Sequence, residues 1–273
     1  MPLHGAGLGK FEGRLEARSA AAVLQAMVFA GYGAEDLGAR RPDDLAPAVF
    51  SVIYTSDLQS QTASLALQGN AAAVRVEGRG QIKGPVADLR AAQLQGQFTA
   101  SSADGAKLVG LMFPASLSTP GASQTAGAAT VKFEGTLQRL RTNASIKAAA
   151  LQAQLDGVVE FQSGGPVFSG KAAAVSQTPE LFVPPPVLAF LGGEPKVSLR
   201  AESSLILSRN RLAADALRAE TPQSVVTGRL LLDASGAANA VEADLKADRF
   251  ALGRLMGVLL ARSDQAASVP ARS

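Results

Sequence analysis

The sequence predicts a mainly β protein built of repeated antiparallel meanders, about four strands each closed by a short helix, forming a curved sheet or groove. Three observations predict it: strict two-residue alternation of apolar and polar side chains, turn residues at hairpin spacing, and a strand-to-helix phrase that recurs along the chain. Of 273 residues, 47% are hydrophobic and 18% charged, enough to bury an interior. Aromatic residues make up only 5%, tryptophan is absent, and alanine supplies much of the apolar content, so large side chains fill that interior sparsely.

The first element is a strand from Leu8 to Arg18, followed by a helix-like apolar stretch at 20–31. The clearest strand is 73–83: Val74, Val76, Gly80 and Ile82 share one face, and Arg75, Glu77, Arg79, Gln81 and Lys83 the other. Leu94 and Phe98 belong to a further strand, which leads into a helical segment at 103–113. The stretch 114–127, rich in Pro, Ser, Ala and Gly, reads as a loop. In 131–138, Val131, Phe133 and Leu137 oppose Lys132, Glu134, Thr136 and Gln138. A strand from Phe168 leads into a segment at 179–191 that is interrupted by Pro184, Pro185 and Pro186. Leu205 and Leu207 mark a strand before the Ser208-Arg209-Asn210 turn, and Val241, Ala243 and Leu245 alternate in 241–247 ahead of a helical segment at 250–261. In that last segment Leu252, Leu255, Val258 and Leu259 recur at helical spacing, the pattern of one face packed on a sheet.

The strands that precede these helical segments begin at Phe11, Leu94, Phe168 and Val241, spaced 83, 74 and 73 residues apart. This period divides the chain into a truncated repeat at 1–34, holding only a final strand and its helix, a second repeat at 35–113, the loop at 114–127, a third repeat at 128–193, a fourth at 194–261 and a flexible tail at 262–273. A repeat opened at its first strands is expected of a piece of a longer protein.

Catalytic chemistry finds no footing in the residues. His4 is the single histidine and cysteine is absent, which removes thiolate catalysis, disulfides and the usual zinc ligand sets. Gly5-Ala6-Gly7-Leu8-Gly9-Lys10 misses the phosphate-loop pattern, with His4 in place of its first glycine and Phe11 in place of its hydroxyl residue. Gly78, Gly80 and Gly84 miss the dinucleotide spacing and sit in a strand, where glycines mark bulges or bends. Glu77, Glu134 and Glu242 fall on polar strand faces, as solvated carboxylates do. Asn143-Ala144-Ser145 fits a glycosylation acceptor, a pattern that also arises by chance. The net charge of +3 comes from scattered residues with no basic stripe, which argues against nucleic acid as a partner. The expectation is a non-enzyme with no cofactor and no metal. No apolar run reaches the roughly 20 residues needed to span a bilayer as a helix, and the first ten residues lack the features of a secretory signal.

The run Val241-Glu242-Ala243-Asp244-Leu245-Lys246-Ala247-Asp248-Arg249-Phe250-Ala251-Leu252-Gly253-Arg254-Leu255 resembles the strand-to-helix phrase of AsmA-like proteins, and Val226-Thr227-Gly228-Arg229-Leu230-Leu231-Leu232-Asp233 resembles the strand before it. The similarity in layout covers most of the chain. It implies a bacterial envelope protein on the periplasmic side of the inner membrane, normally anchored there by an N-terminal helix that this chain lacks, with a β-groove related to bridge-like lipid transfer proteins. Phospholipid is then the expected partner, outer-membrane biogenesis the expected process, and the oligomeric state is left open. The groove would be lined by Val74, Val76, Ile82, Leu94, Phe98, Val131, Phe133, Leu137, Leu205, Leu207, Val241 and Leu245. Two other readings stand beside it: a scaffold module that assists outer-membrane protein assembly, its apolar face closed by the helices, and a hydrolase with a concealed site.

Overall fold

A computed structural model describes residues 8–18, 46–57, 59–84, 91–105, 107–108, 125–136, 138–148, 150–162, 165–179, 198–208, 210–233 and 240–248. They form β1 (Leu8–Ala17), β2 (Ala48–Asp57), β3 (Thr62–Ala71), β4 (Val74–Lys83), β5 (Gln93–Ser102), β6 (Gly127–Thr136), β7 (Arg139–Ala148), β8 (Leu151–Gln162), β9 (Gly165–Ser176), β10 (Leu199–Leu207), β11 (Arg211–Glu220), β12 (Val225–Asp233) and β13 (Ala240–Ala247). Strand order in the sheet is chain order, the antiparallel meander that short hairpin spacings dictate. Long connections follow β1, β5 and β9, so the strands fall into groups of one, four, four and four. Three of the expected helical segments, 20–31, 179–191 and 250–261, lie outside the described residues apart from Pro179. Of 103–113, Gly105, Lys107 and Leu108 are helical.

The chain divides into two compact units, Met1–Gly170 and Lys171–Ser273, with the division inside β9. In the first unit, local chemistry closes the hairpins. Asp57 ends β2 and its carboxylate accepts hydrogen bonds from the Gln59 and Ser60 amides at 2.9 and 3.4 Å and from the Ser60 hydroxyl at 2.7 Å. Ala72 and Ala73 join β3 to β4 in a two-residue turn, with Ala72 at φ 49°. Ala73 therefore belongs to the turn and the strand begins at Val74. β6 begins at Gly127, four residues before the expected start. The small residues Gly127, Ala128, Ala129 and Thr130 hide the alternation, yet all four pair regularly with β5 and the last three with β7 as well. This corrects the loop expected through 127, and the strand ends at Thr136 with Gln138 in the turn.

Burial in this unit, where Ala63 and Ala92 are buried at one end of the sheet, is most extensive at the other. Val74 is 3% exposed, Ala148 0% and Leu151 7%, and Ser102 is buried beside them. The helical residues pack over this end, since the Gly105 Cα lies 2.9 Å from where a Cβ on Gly127 would stand. Leu108, at 1% exposed, is among the most deeply buried side chains.

In the second unit, Leu199, Ala219 and Val226 form a buried cluster, with Ala201, Leu245 and Ala247 packed against it. β11 carries a bulge: its register shifts by one residue against both β10 and β12 around Ala216, which has φ 50°. The bulge answers a break in alternation. Leu212 and Ala214 are spaced by two, and Leu217 and Ala219 resume after a step of three, so one extra residue returns all four to the same face.

Candidate apolar sheet face

In an antiparallel sheet, directly opposed residues share a face, so the strand registers place the described side chains on one side or the other. In the first unit, Ile82 stands opposite Leu94, Val76 opposite Ala100, Phe98 opposite both Gly78 and Val131, and Phe133 opposite Gly96. Val74, Val76, Ile82, Leu94, Phe98, Val131 and Phe133 therefore lie on one face, as their spacing predicts. Six of them are half-buried, whereas Val74 belongs to the covered end. Leu137 lies outside the described residues.

The face extends to neighbours that sequence reasoning did not single out. Leu67 opposes Gly78, Leu65 opposes Gly80, and Val52 and Tyr54 continue the rows onto β2. On the other side, Leu140 and Val159 continue from Gly135, and Ala144 and Leu155 from Val131. Alanines and glycines dilute these strands, and this hid their alternation.

Large rings sit over glycines. The Phe98 ring would be 2.4 Å from a Cβ on Gly78, and the Phe133 ring 2.4 Å from one on Gly96. The two rings stack with centroids 5.9 Å apart and planes inclined by 19°. Gly78 and Gly80 thus stand in unbroken register, and the expected bulge or bend at these positions is corrected: Gly78 makes room for a ring from the next strand.

In the second unit, Leu207 opposes Leu212, Leu212 opposes Leu232, and Leu232 opposes Val241, one row across four strands. Leu205 opposes Ala214, and Leu245 opposes Gly228, which opposes Leu217. Leu205, Leu207 and Leu245 therefore occupy one face of this unit, and Val241 takes the backbone register position opposite Leu232. Leu207 is 41% exposed. Gly228, at φ 150°, brings β12 so close to β13 that a Cβ there would lie 2.0 Å from the Asp244 carbonyl oxygen.

The opposite face is mainly polar, although it also exposes Ile53 in the first unit and Ile206 in the second. In the first unit, Arg79, Gln97, Lys132 and Asn143 form one cross-strand row, and Gln81, Gln95, Glu134 and Arg141 the next. Together they line a concavity of about 550 Å³. Sequence reasoning placed these residues in solvent and did not foresee a hollow among them. The glutamines at 81, 93, 95 and 97, alternating with apolar residues, were the available signal. In the second unit, Arg200 opposes Glu220 and Glu202 opposes Arg218, a square of alternating charge in which the Glu202 carboxylate accepts from Arg200 at 2.5 Å and raises the guanidinium above its ordinary pKa. Arg229 bonds Glu242 at 2.9 Å across β12 and β13, so this polar side carries mutual ion pairs. Such exposed pairs contribute little to stability and keep the face wet.

Among the described residues, no group of three or more His, Cys, Asp or Glu side chains is placed to hold a metal ion, and no helix is long and apolar enough to cross a membrane. His4 lies outside the described residues. Comparison of the chain with protein-family models, curated proteins and solved structures gives no match.

Proposed function

We propose that the chain is part of a cell-envelope β-groove protein of the AsmA-like kind, which carries phospholipid between inner and outer membrane from the periplasmic side of the inner membrane and so supports outer-membrane biogenesis. The observation that carries this reading is the half-exposed apolar face: Val76, Ile82, Leu94, Phe98, Val131 and Phe133 share one side of the first unit and none of them is sealed from solvent. A packed core of this size would bury such side chains fully.

The physical chemistry of the role asks for no catalytic group. An acyl chain leaving a bilayer for water loses about 0.8 kcal/mol per CH₂. An apolar face beside it removes most of that barrier by exchanging one apolar surrounding for another. Alanines and glycines between the larger residues leave the surface uneven at the scale of a methylene, which suits chains of varied length and unsaturation. The headgroup would stay at the margin of the face, in water.

A second reading is favoured by one specific observation, the sealed end at Val74, Ala148 and Leu151. There the face is already a closed core, and a scaffold module assisting outer-membrane protein assembly would have the whole face closed in the same way. Charge placed in the middle of the face separates the two. Ile82→Glu and Phe133→Glu keep the fold and lose lipid if the face is open, and they unfold the protein if it is closed, because an unpaired buried carboxylate is costly.

A further inference from the structure

The hollow on the polar side of the first unit lies across four adjacent strands, β4 to β7, and carriage of lipid on the other side gives it no role. Its volume of about 550 Å³ falls in the range of small-ligand sites, about 300–1,000 Å³. A second concavity of about 390 Å³ adjoins it, shares Glu134 and Arg141, and leads on to Lys83 and Gln93. The floor of the larger hollow is main chain at Gly80, Gly96 and Phe133, whose side-chain positions belong to the apolar face.

Three cations line this hollow, Arg79, Lys132 and Arg141, against one carboxylate, Glu134. Glu134 stands directly opposite Arg141 and two residues from Lys132 on the same strand, yet among the described residues none of the four is ion-paired. The same two-residue spacing closes an ion pair at Lys10–Glu12, Arg75–Glu77, Arg200–Glu202 and Arg218–Glu220. The hollow keeps open the charges that those four sites neutralise. The next carboxylate along the first row, Asp156, opposes Asn143 and accepts a hydrogen bond from its side-chain amide at 3.2 Å.

We propose that this hollow binds a water-soluble phosphate monoester of a polyhydroxylated compound. Charge selects the phosphate: a surplus of two positive charges matches a monoester, which carries about −1.5 to −2 at pH 7, better than a carboxylate or a phosphodiester with a single charge. Reach agrees with it. Lys132 and Arg141 are diagonal neighbours on β6 and β7, about 7–8 Å apart at the backbone, so an ammonium and a guanidinium fork can meet one oxyanion between them. Arg79 stands two strands from Lys132, about 10 Å across the sheet, on the far side of the same space.

The body of the ligand follows from the remaining lining. Gln81, Gln95, Gln97 and Asn143 each offer both a donor and an acceptor, which is what a hydroxyl group asks of its surroundings. The lining presents neither an aromatic ring for stacking nor an aliphatic side chain for an acyl chain, because Phe133 turns its ring to the other face over Gly96. A polyol fits this lining and a lipid tail does not.

Isothermal titration calorimetry of the full 273-residue chain with inositol monophosphate at low salt tests the assignment. Saturable binding at one site is expected, weakened by added sodium chloride. Inorganic phosphate should bind more weakly, and inositol should give no binding. Loss of one charge-assisted hydrogen bond lowers affinity by about tenfold, so Lys132→Gln and Arg141→Gln should each bind about tenfold more weakly. Glu134→Gln, which removes the opposing charge, should bind more tightly. Lys147→Gln changes an exposed cation of β7 outside the hollow and should bind as the unchanged chain does. All four positions are exposed, and far-ultraviolet circular dichroism checks that the strands are kept. A titration without saturable binding, Lys132→Gln and Arg141→Gln variants that bind as before, or a Lys147→Gln variant that loses as much as they do would overturn the assignment. Flotation of the chain with phosphatidic acid vesicles, without binding of inositol monophosphate, would overturn it too, since the phosphate would then belong to a lipid.

Discussion

Replacing Phe133 by glutamate asks directly whether the apolar face is open. The ring is half-buried, opposes Gly96 and stacks on Phe98 at 5.9 Å. Full burial of a phenylalanine is worth about 1.5–3 kcal/mol, so a half-buried one contributes about 1 kcal/mol. The stacked pair adds about 0.5–1.5 kcal/mol. The loss on an open face is then about 2 kcal/mol, because the new carboxylate remains in water. In a domain of this size that lowers the melting temperature by about 4–8 °C. On a closed face the same change would remove a buried ring for about 3–5 kcal/mol and add an unpaired buried charge for several more, together comparable to the whole stability of a domain. Thermal melting followed by circular dichroism reads the difference, with Phe133→Leu as the apolar control. A cooperative transition lowered by a few degrees supports the open face. A chain that no longer folds, beside a well-folded Phe133→Leu variant, refutes it.

Other consequences are local. Gly78→Val drives two methyl groups into the Phe98 ring, which lies 2.4 Å from the Cβ position. It should destabilise the first unit by about 1–3 kcal/mol in urea, although valine is the better strand former. Asp57 has its pKa held below its ordinary 3.8, first by the Ser60 hydroxyl and then by the Gln59 and Ser60 amides. A depressed carboxylate stabilises above its unfolded value and loses that stabilisation as pH falls through the folded one. Hydrogen-exchange protection of the Gln59 and Ser60 amides should therefore be intact at pH 5 and fall below pH 3.8, and Asp57→Ala should abolish the dependence. Asp248 accepts from the Val225 amide at 2.7 Å and the Ser224 hydroxyl at 3.1 Å. Asp248→Ala should cost about 1 kcal/mol in the second unit, measured by the same denaturation.

What the sequence revealed follows from the size of the side chains. β4 and β13 were legible because valine, isoleucine and leucine alternate there with full charges. β6 was legible only from Val131 onward, since its first residues are too small to register as apolar or polar. β3 was obscured in the same way, with alanine on both faces, and β8 by Gly157 and the adjacent Val158 and Val159, which stand on opposite faces. Apart from Leu137 and Val241, the residues expected to line a groove fall on one face within each unit, because a period of two fixes the side on which a residue stands. Three features needed the pairing of one strand with the next and lay beyond any single-strand pattern: the rings over Gly78 and Gly96, the hollow among Arg79, Gln97, Lys132 and Arg141, and the burial of Val74 at the covered end. The bulge in β11 stands between these cases. The three-residue step from Ala214 to Leu217 is visible in the sequence, and it acquires meaning only once both neighbouring strands fix the face.

Whether the apolar face holds acyl chains is read by native mass spectrometry of the gently extracted protein. Adducts at phospholipid masses are expected on the unchanged chain, lost in folded Ile82→Glu and Phe133→Glu variants and retained in a charge reversal on the opposite face such as Lys132→Glu. A spectrum free of lipid for the unchanged protein, or adducts that survive both face substitutions, would contradict a lipid-holding face.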